Sequence, residues 1–214
     1  LETGYRLDID NKYIMSPKDL CTIEFLDKIV GAGVRVFKIE GRARSAEYVR
    51  RTTSCYRRAA DAICEGTYTP ALSAAFKQEL AEVFNRGFWD GYYQGARLGE
   101  WSKVYGSHAT KMKIYCGKVS NWFDRIGVAE ITVETRPLCK GDEVMVIGAT
   151  TGVVQFVAED IRVDFRQVDQ AGKGVRCSLA VPEGQRLIVP AGDLRIGLAD
   201  HDQLFIIGIE ARIS

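Results

Sequence analysis

A chain of 214 residues, 46% hydrophobic and 27% charged, is long enough to bury one large core or two modest ones, and its composition is that of a soluble globular protein. A net charge of +1, spread evenly along the chain, excludes a polyelectrolyte tail, so nucleic-acid binding would require a local patch. No apolar run reaches the roughly 18 residues of a membrane span, no signal-peptide pattern opens the chain, and the six cysteines form no CxxC pair or Cys/His cluster, which together predict a cytoplasmic protein with reduced thiols and no zinc module.

In chain order, Tyr13-Ile14-Met15 is a short apolar run, and Ser16-Pro17-Lys18-Asp19 reads as a helix start, with Ser as N-cap, Pro in the first turn and Asp19 facing the positive end of the dipole. The apolar stripe Leu20, Ile23, Leu26 or Phe25, Ile29 and Val30 continues that helix to Gly31-Ala32-Gly33. Val34-Arg35-Val36-Phe37-Lys38-Ile39 then reads as a buried strand. Ser45 is expected to cap a second helix reaching about Cys64, with Val49, Thr53, Tyr56, Ala60 and Ile63 on its apolar face. A third helix follows Pro70 through Phe76, Leu80 and Val83, and the strand-helix alternation suggests a parallel α/β layer. The glycine- and aromatic-rich stretch from Phe88 to about Ser107 reads as a linker or docking segment.

From Met112 onward the pattern changes to short strands: Lys113–Val119, Ile126–Glu134, Glu143–Gly148, Val153–Phe156, Val175–Leu179 and Leu204–Ile209. Turn residues such as Gly141-Asp142 and Gly172-Lys173-Gly174 separate them, which favours a small antiparallel barrel or sandwich. The fold class expected is therefore α+β, with a partial, barrel-type α/β segment in residues 1–105 and a small all-β barrel domain in 106–214.

Two segments carry a resemblance: Tyr13 to Cys21, and Phe37-Lys38-Ile39-Glu40-Gly41-Arg42-Ala43-Arg44-Ser45 with Tyr48-Val49 about twenty residues on. At this separation they resemble paired motifs of the U32 peptidase family, the collagenase-like proteases. Asn85-Arg86-Gly87-Phe88 and Gly91-Tyr92-Tyr93 are similar to a later stretch of that family, and the β-rich remainder is similar in kind to its C-terminal domain. The family's glutamate-, glycine- and cysteine-bearing segment has no counterpart in these 214 residues, and Leu1-Glu2-Thr3 has no initiator methionine. The resemblance thus implies the C-terminal part of a longer protein, partnered by an N-terminal domain of the same chain and inactive alone. It implies an enzymatic parent, a collagenase-like peptidase, or alternatively an iron–sulfur protein of RNA hydroxylation for which this part binds RNA or protein.

Lys38, Glu40 and Arg42 close the expected strand at its C-terminal end, where α/β barrels gather their catalytic groups, and alternation puts Lys38 and Glu40 on one side. They are the catalytic candidates, against the reading of a structural ion-pair network. Lys18, Asp19, Arg44 and Tyr48 are the substrate-binding candidates, against simple helix capping for the first two. Cys21, beside a family motif, is the candidate ligand of an iron–sulfur cluster completed by cysteines outside this chain, against a buried structural thiol; the cofactor is otherwise unknown. Arg50, Arg51, Arg57 and Arg58 recur along the second helix as a basic stripe, either an RNA track or a solvated face. An RNA or peptide substrate and a homodimer that covers an unsatisfied apolar edge are the partners expected, with no membrane. No Ser/His/acid set and no HExxH is present, so the residues do not make a self-contained protease.

Overall fold

The computed structural model describes residues 17–83, 85–95, 100, 107–187 and 203–209. The chain divides into two compact units, residues 1–110 and 111–214. Among the described residues no helix is long and apolar enough to cross a membrane.

The first unit is built from β1 (Asp19–Leu20), a 3-10 turn (Ile23–Phe25), α1 (Leu26–Gly31), α2 (Ala46–Cys64), α3 (Pro70–Ala81) and β2 (Phe88–Trp89). The helix expected from Ser16 onward starts seven residues after Asp19; Ser16 itself lies outside the described residues. Asp19 and Leu20 are extended instead and pair in parallel with Phe88 and Trp89. The physical reason is that the Asp19 carboxylate is engaged by Arg44 and by the backbone N–H of Arg86, so it serves tertiary partners rather than the first turn of a helix. Phe88–Trp89, expected in a linker, is therefore a strand.

Ser45 caps α2 as expected, its Oγ accepting from the Tyr48 N–H at 3.3 Å, and Thr69 does the same for α3 through Leu72. The buried line of α2 is Thr52, Cys55, Ala59 and Ala62, one position from the expected face, and Val49 is exposed. Small residues line the contact because Phe76 and Leu80 of α3 fill the space against Cys55 and Ala59, with Cys21, Ile23 and Leu26 completing the cluster. Tyr56 and Ile63 flank it, partly buried.

The expected strand at 34–39 is not formed. Val34, Val36 and Phe37 are exposed, Val36 at 84%, and no strand among the described residues pairs with them. A run of β-branched residues becomes a strand only when a neighbour satisfies its backbone, and none of the described strands does so here.

The second unit is a wholly antiparallel sheet. Its strands are β3 (Lys111–Phe123), β4 (Val128–Val133), β6 (Glu143–Gly148), β7 (Gly152–Val157), β8 (Ile161–Val163), β9 (Arg166–Val168), β11 (Arg176–Ala180) and β12 (Gln203–Ile209), in the order β7-β6-β12-β3-β4-β11-β8-β9. β5 (Leu138–Cys139) and β10 (Gln170–Ala171) form a separate two-stranded pair. Alternate residues face one core of Val119, Ile131, Val133, Leu138, Val144, Leu179 and Leu204, all fully buried. A bulge between Val119 and Asn121 resets the alternation of β3, so that Trp122 also packs against this core.

The expected barrel does not close: among the described residues no ladder joins β7 to β9, and β8 and β9 are three residues each. Their hairpin turns through Asp164 and Phe165, both at positive φ (48° and 64°), with Phe165 99% exposed. At Gly117 the β3 and β4 backbones approach so closely that a Cβ would lie 2.1 Å from the Thr132 carbonyl oxygen.

Candidate functional site

The site grows from the turn at 40–44. The Glu40 carboxylate accepts the Arg42 N–H at 2.8 Å, and the Arg44 N–H donates to the Gly41 carbonyl at 3.0 Å. Gly41 rests on α2, where a Cβ would meet Val49 Cγ2 at 2.7 Å, and Ala43 takes a φ of +57°, a conformation unfavourable for a residue with a side chain. Arg44 then reaches back to Asp19, Nη2 to Oδ1 2.6 Å, with the two side chains 12% and 18% exposed. The other carboxylate oxygen of Asp19 accepts the Arg86 N–H at 3.0 Å. The Arg44 guanidinium lies 5.0 Å from the centroid of the Tyr48 ring, within cation–π range. Asp19 thus ties together the turn, β1 and the approach to β2.

Around this clamp is a cleft of about 460 Å³. Lys38, Glu40, Arg42, Asp19, Arg44 and Tyr48 all line it, so six of the sequence candidates converge. The alternation expected for Lys38 and Glu40 is absent, since Phe37 and Ile39 line the same cleft from an irregular segment. Arg86 also lines it, as do Leu20, Thr22, Thr52 and Tyr56, none of them chosen from the sequence. The resemblance around Asn85-Arg86-Gly87 was the only signal for Arg86. Among the described lining residues four cations face two carboxylates, and Asp19 is already engaged by Arg44 and a backbone N–H. The cleft is therefore net positive and fits an anionic ligand. Burial pushes the Tyr48 hydroxyl above its ordinary range, against the pull of Arg44, and burial pushes Tyr56 still higher, so both are neutral donors at physiological pH.

Neither Lys18 nor Cys21 is among the residues lining the cleft. Lys18 Nζ pairs with Glu100 at 2.5 Å. Cys21 is 5% exposed, packed with Ile23, Leu26 and Cys55, and burial raises its thiol above the usual value. No three metal-ligating side chains converge among the described residues. Any cluster on Cys21 would draw its other ligands from outside the described residues. The arginines of α2 pair locally: Arg51 with Glu79 and Glu82, Arg58 with Glu79, and Arg57 with Asp61, which neutralises most of the stripe.

Beside the cleft is a second, apolar recess of about 400 Å³, lined by Leu20, Trp89, Gly91, Tyr92 and Tyr93. Trp89 meets Tyr92 edge-on at 5.3 Å, and Phe25 lies 6.1 Å from Tyr93.

Residues 2–103 match the model of peptidase family U32. The chain belongs to that family. A collagenase of Porphyromonas gingivalis is 53% identical over 185 residues, covering 86% of this chain and 45% of the relative. A tRNA hydroxylation protein of Bacillus subtilis is 33% identical over 141 residues, covering 65% of this chain and 33% of the relative. The crystal structure of the C-terminal domain of a U32 peptidase from Geobacillus thermoleovorans aligns at 17% identity and a TM-score of 0.35, covering 44% of this chain and 91% of that one. The chain spans about half the length of the collagenases it matches.

Proposed function

We propose that this chain is the substrate-holding part of a longer U32 protein and that the substrate it grips is RNA. One observation carries this reading: the cleft gathers Lys38, Arg42, Arg44 and Arg86 against Asp19 and Glu40, and its one tight ion pair uses up Asp19. Such an excess of cations suits phosphate oxygens, which arginine grips in bidentate fashion. Among the described residues that line the cleft there is no serine or cysteine, and on this reading the part binds and orients while the reaction is carried out elsewhere in the protein. The names of relatives in tRNA and rRNA hydroxylation support RNA as the substrate.

A second reading, that of a collagenase-like peptidase completed by an N-terminal domain, draws on the higher identity to proteins named collagenase, 53% against 33%. Its substrate-facing groups are the same Lys38, Glu40 and Arg42, of which Lys38 and Arg42 would then hold a peptide carboxylate.

Fluorescence anisotropy of the 214-residue chain with an RNA hairpin and with a collagen-type peptide, at 50 to 200 mM salt, separates the two. The RNA reading expects affinity to fall steeply with salt, and Arg42→Ala and Arg86→Ala each to lower the slope by about one unit while weakening binding to all sequences alike. Binding of the peptide with no binding of RNA would overturn it in favour of the peptidase reading.

A further inference from the structure

We infer that the cationic cleft and the aromatic recess form one continuous track for single-stranded RNA, with phosphates on Lys38, Arg42 and Arg86 and a base stacked against Tyr92 and Tyr93. The inference rests on the RNA reading above and adds where the bases go. Its first support is that the two recesses share a wall: Leu20, on β1 and 53% exposed, lines both. Its second is the state of the rings. Tyr92 and Tyr93 are 63% and 66% exposed, yet each has an aromatic neighbour, Trp89 for the one and Phe25 for the other, so faces are offered to solvent by rings that are already oriented. Gly91 brings the backbone close beneath them; a Cβ there would meet Leu20 Cδ1 at 2.8 Å.

Cations alone suit any polyanion, and exposed rings alone suit any apolar partner. The two side by side across a single leucine suit a polymer that alternates anions with flat rings, which is single-stranded nucleic acid. A pre-oriented platform limits the ordering that binding would otherwise impose on the side chains. The neutralised arginines of α2 lie outside this track, which confines the phosphate-facing charge to the cleft.

The test uses the full 214-residue chain, a labelled oligouridylate and a strand of equal length that carries the sugar–phosphate backbone without bases. Tyr92→Ala combined with Tyr93→Ala should weaken the oligouridylate about tenfold or more, with an unchanged salt slope, while Tyr93→Phe retains affinity. The baseless strand should bind the unaltered chain only as tightly as oligouridylate binds the double variant. Because both tyrosines are exposed, circular dichroism should show the variants folded. Equal affinity for the two strands, or no loss in the tyrosine variants, overturns the base platform and leaves a purely electrostatic RNA grip. Failure of both strands to bind the unaltered chain overturns the RNA reading together with the track.

Discussion

Replacing Asp19 by alanine removes the carboxylate that pairs with Arg44 in the clamp, and its cost follows from the geometry. Breaking a buried ion pair by deleting one partner costs about 3–5 kcal/mol. Here the two side chains keep 12% and 18% of their exposure, so water recovers part of it and about 2–3 kcal/mol remains. The Arg86 N–H also loses its acceptor, adding about 1 kcal/mol. The expected destabilisation of the first unit is therefore about 3–4 kcal/mol. Asp19→Asn should cost less, because the amide oxygen still accepts from Arg86. Combining Asp19→Ala with Arg44→Met should cost less than the two single changes together, by about 2 kcal/mol, since no unpaired charge is then left behind. Equilibrium urea unfolding in a Trp122→Phe background reads this, because the remaining tryptophans, Trp89 and Trp101, both belong to the first unit. A cost below about 1 kcal/mol for Asp19→Ala, or strict additivity in the double variant, would refute the view that this clamp holds the cleft together.

In the second unit, Gly117→Ala forces a Cβ to 2.1 Å from the Thr132 oxygen and 3.1 Å from the Val133 Cα, backbone atoms that cannot swing aside; a loss of about 3 kcal/mol or more in thermal or urea unfolding is expected. Thiol titration with an aromatic disulfide should label Cys64 rapidly and Cys139 more slowly, whereas Cys21, Cys55, Cys116 and Cys177 react only on unfolding. Burial pushes Cys116 and Cys177 up to about 11, so the folded state favours their protonated form. Their contribution is complete below the ordinary thiol value of 9.0 and is lost as pH rises toward 11. Urea midpoints between pH 8 and pH 10.5 should fall, and the alkaline limb should flatten in a Cys116→Ala/Cys177→Ala variant.

Where local chemistry decides, the sequence was legible. Ser45 and Pro70 announce α2 and α3, and the β-branched runs at Glu143 and Gly152 mark their strands within a residue. Where a distant partner decides, it was not. Val34–Ile39 has strand composition but no neighbour among the described strands, and Asp19, which looks like a helix-starting residue, is claimed by Arg44 twenty-five residues away. Helix α2 presents Cys55, Ala59 and Ala62 rather than its larger apolar residues because close approach of α3, not hydrophobicity, selects the face. The β8–β9 hairpin escaped notice because its turn uses Asp164 and Phe165 in place of the Gly or Asn that normally signals one. In the cleft, the motif around Lys38 to Tyr48 could be found from its residues, whereas Arg86 enters through a backbone hydrogen bond that side-chain identity does not encode.

The position of β12 governs the order in which the second unit can be made. Residues 203–209 pair with β6 on one side and β3 on the other, so the last of the described strands to leave the ribosome fills the middle of the sheet. Until then the nascent chain holds two separate halves, β6 with β7 and β3 with β4 and β11, each with an open edge facing the gap. Helices α2 and α3, by contrast, find their contacts within a short stretch of chain and can pack during synthesis. The growing polypeptide therefore carries a formed helical pair ahead of an unfinished sheet, and the interval before residue 209 emerges is when it is most exposed to misassociation with its neighbours on the same message.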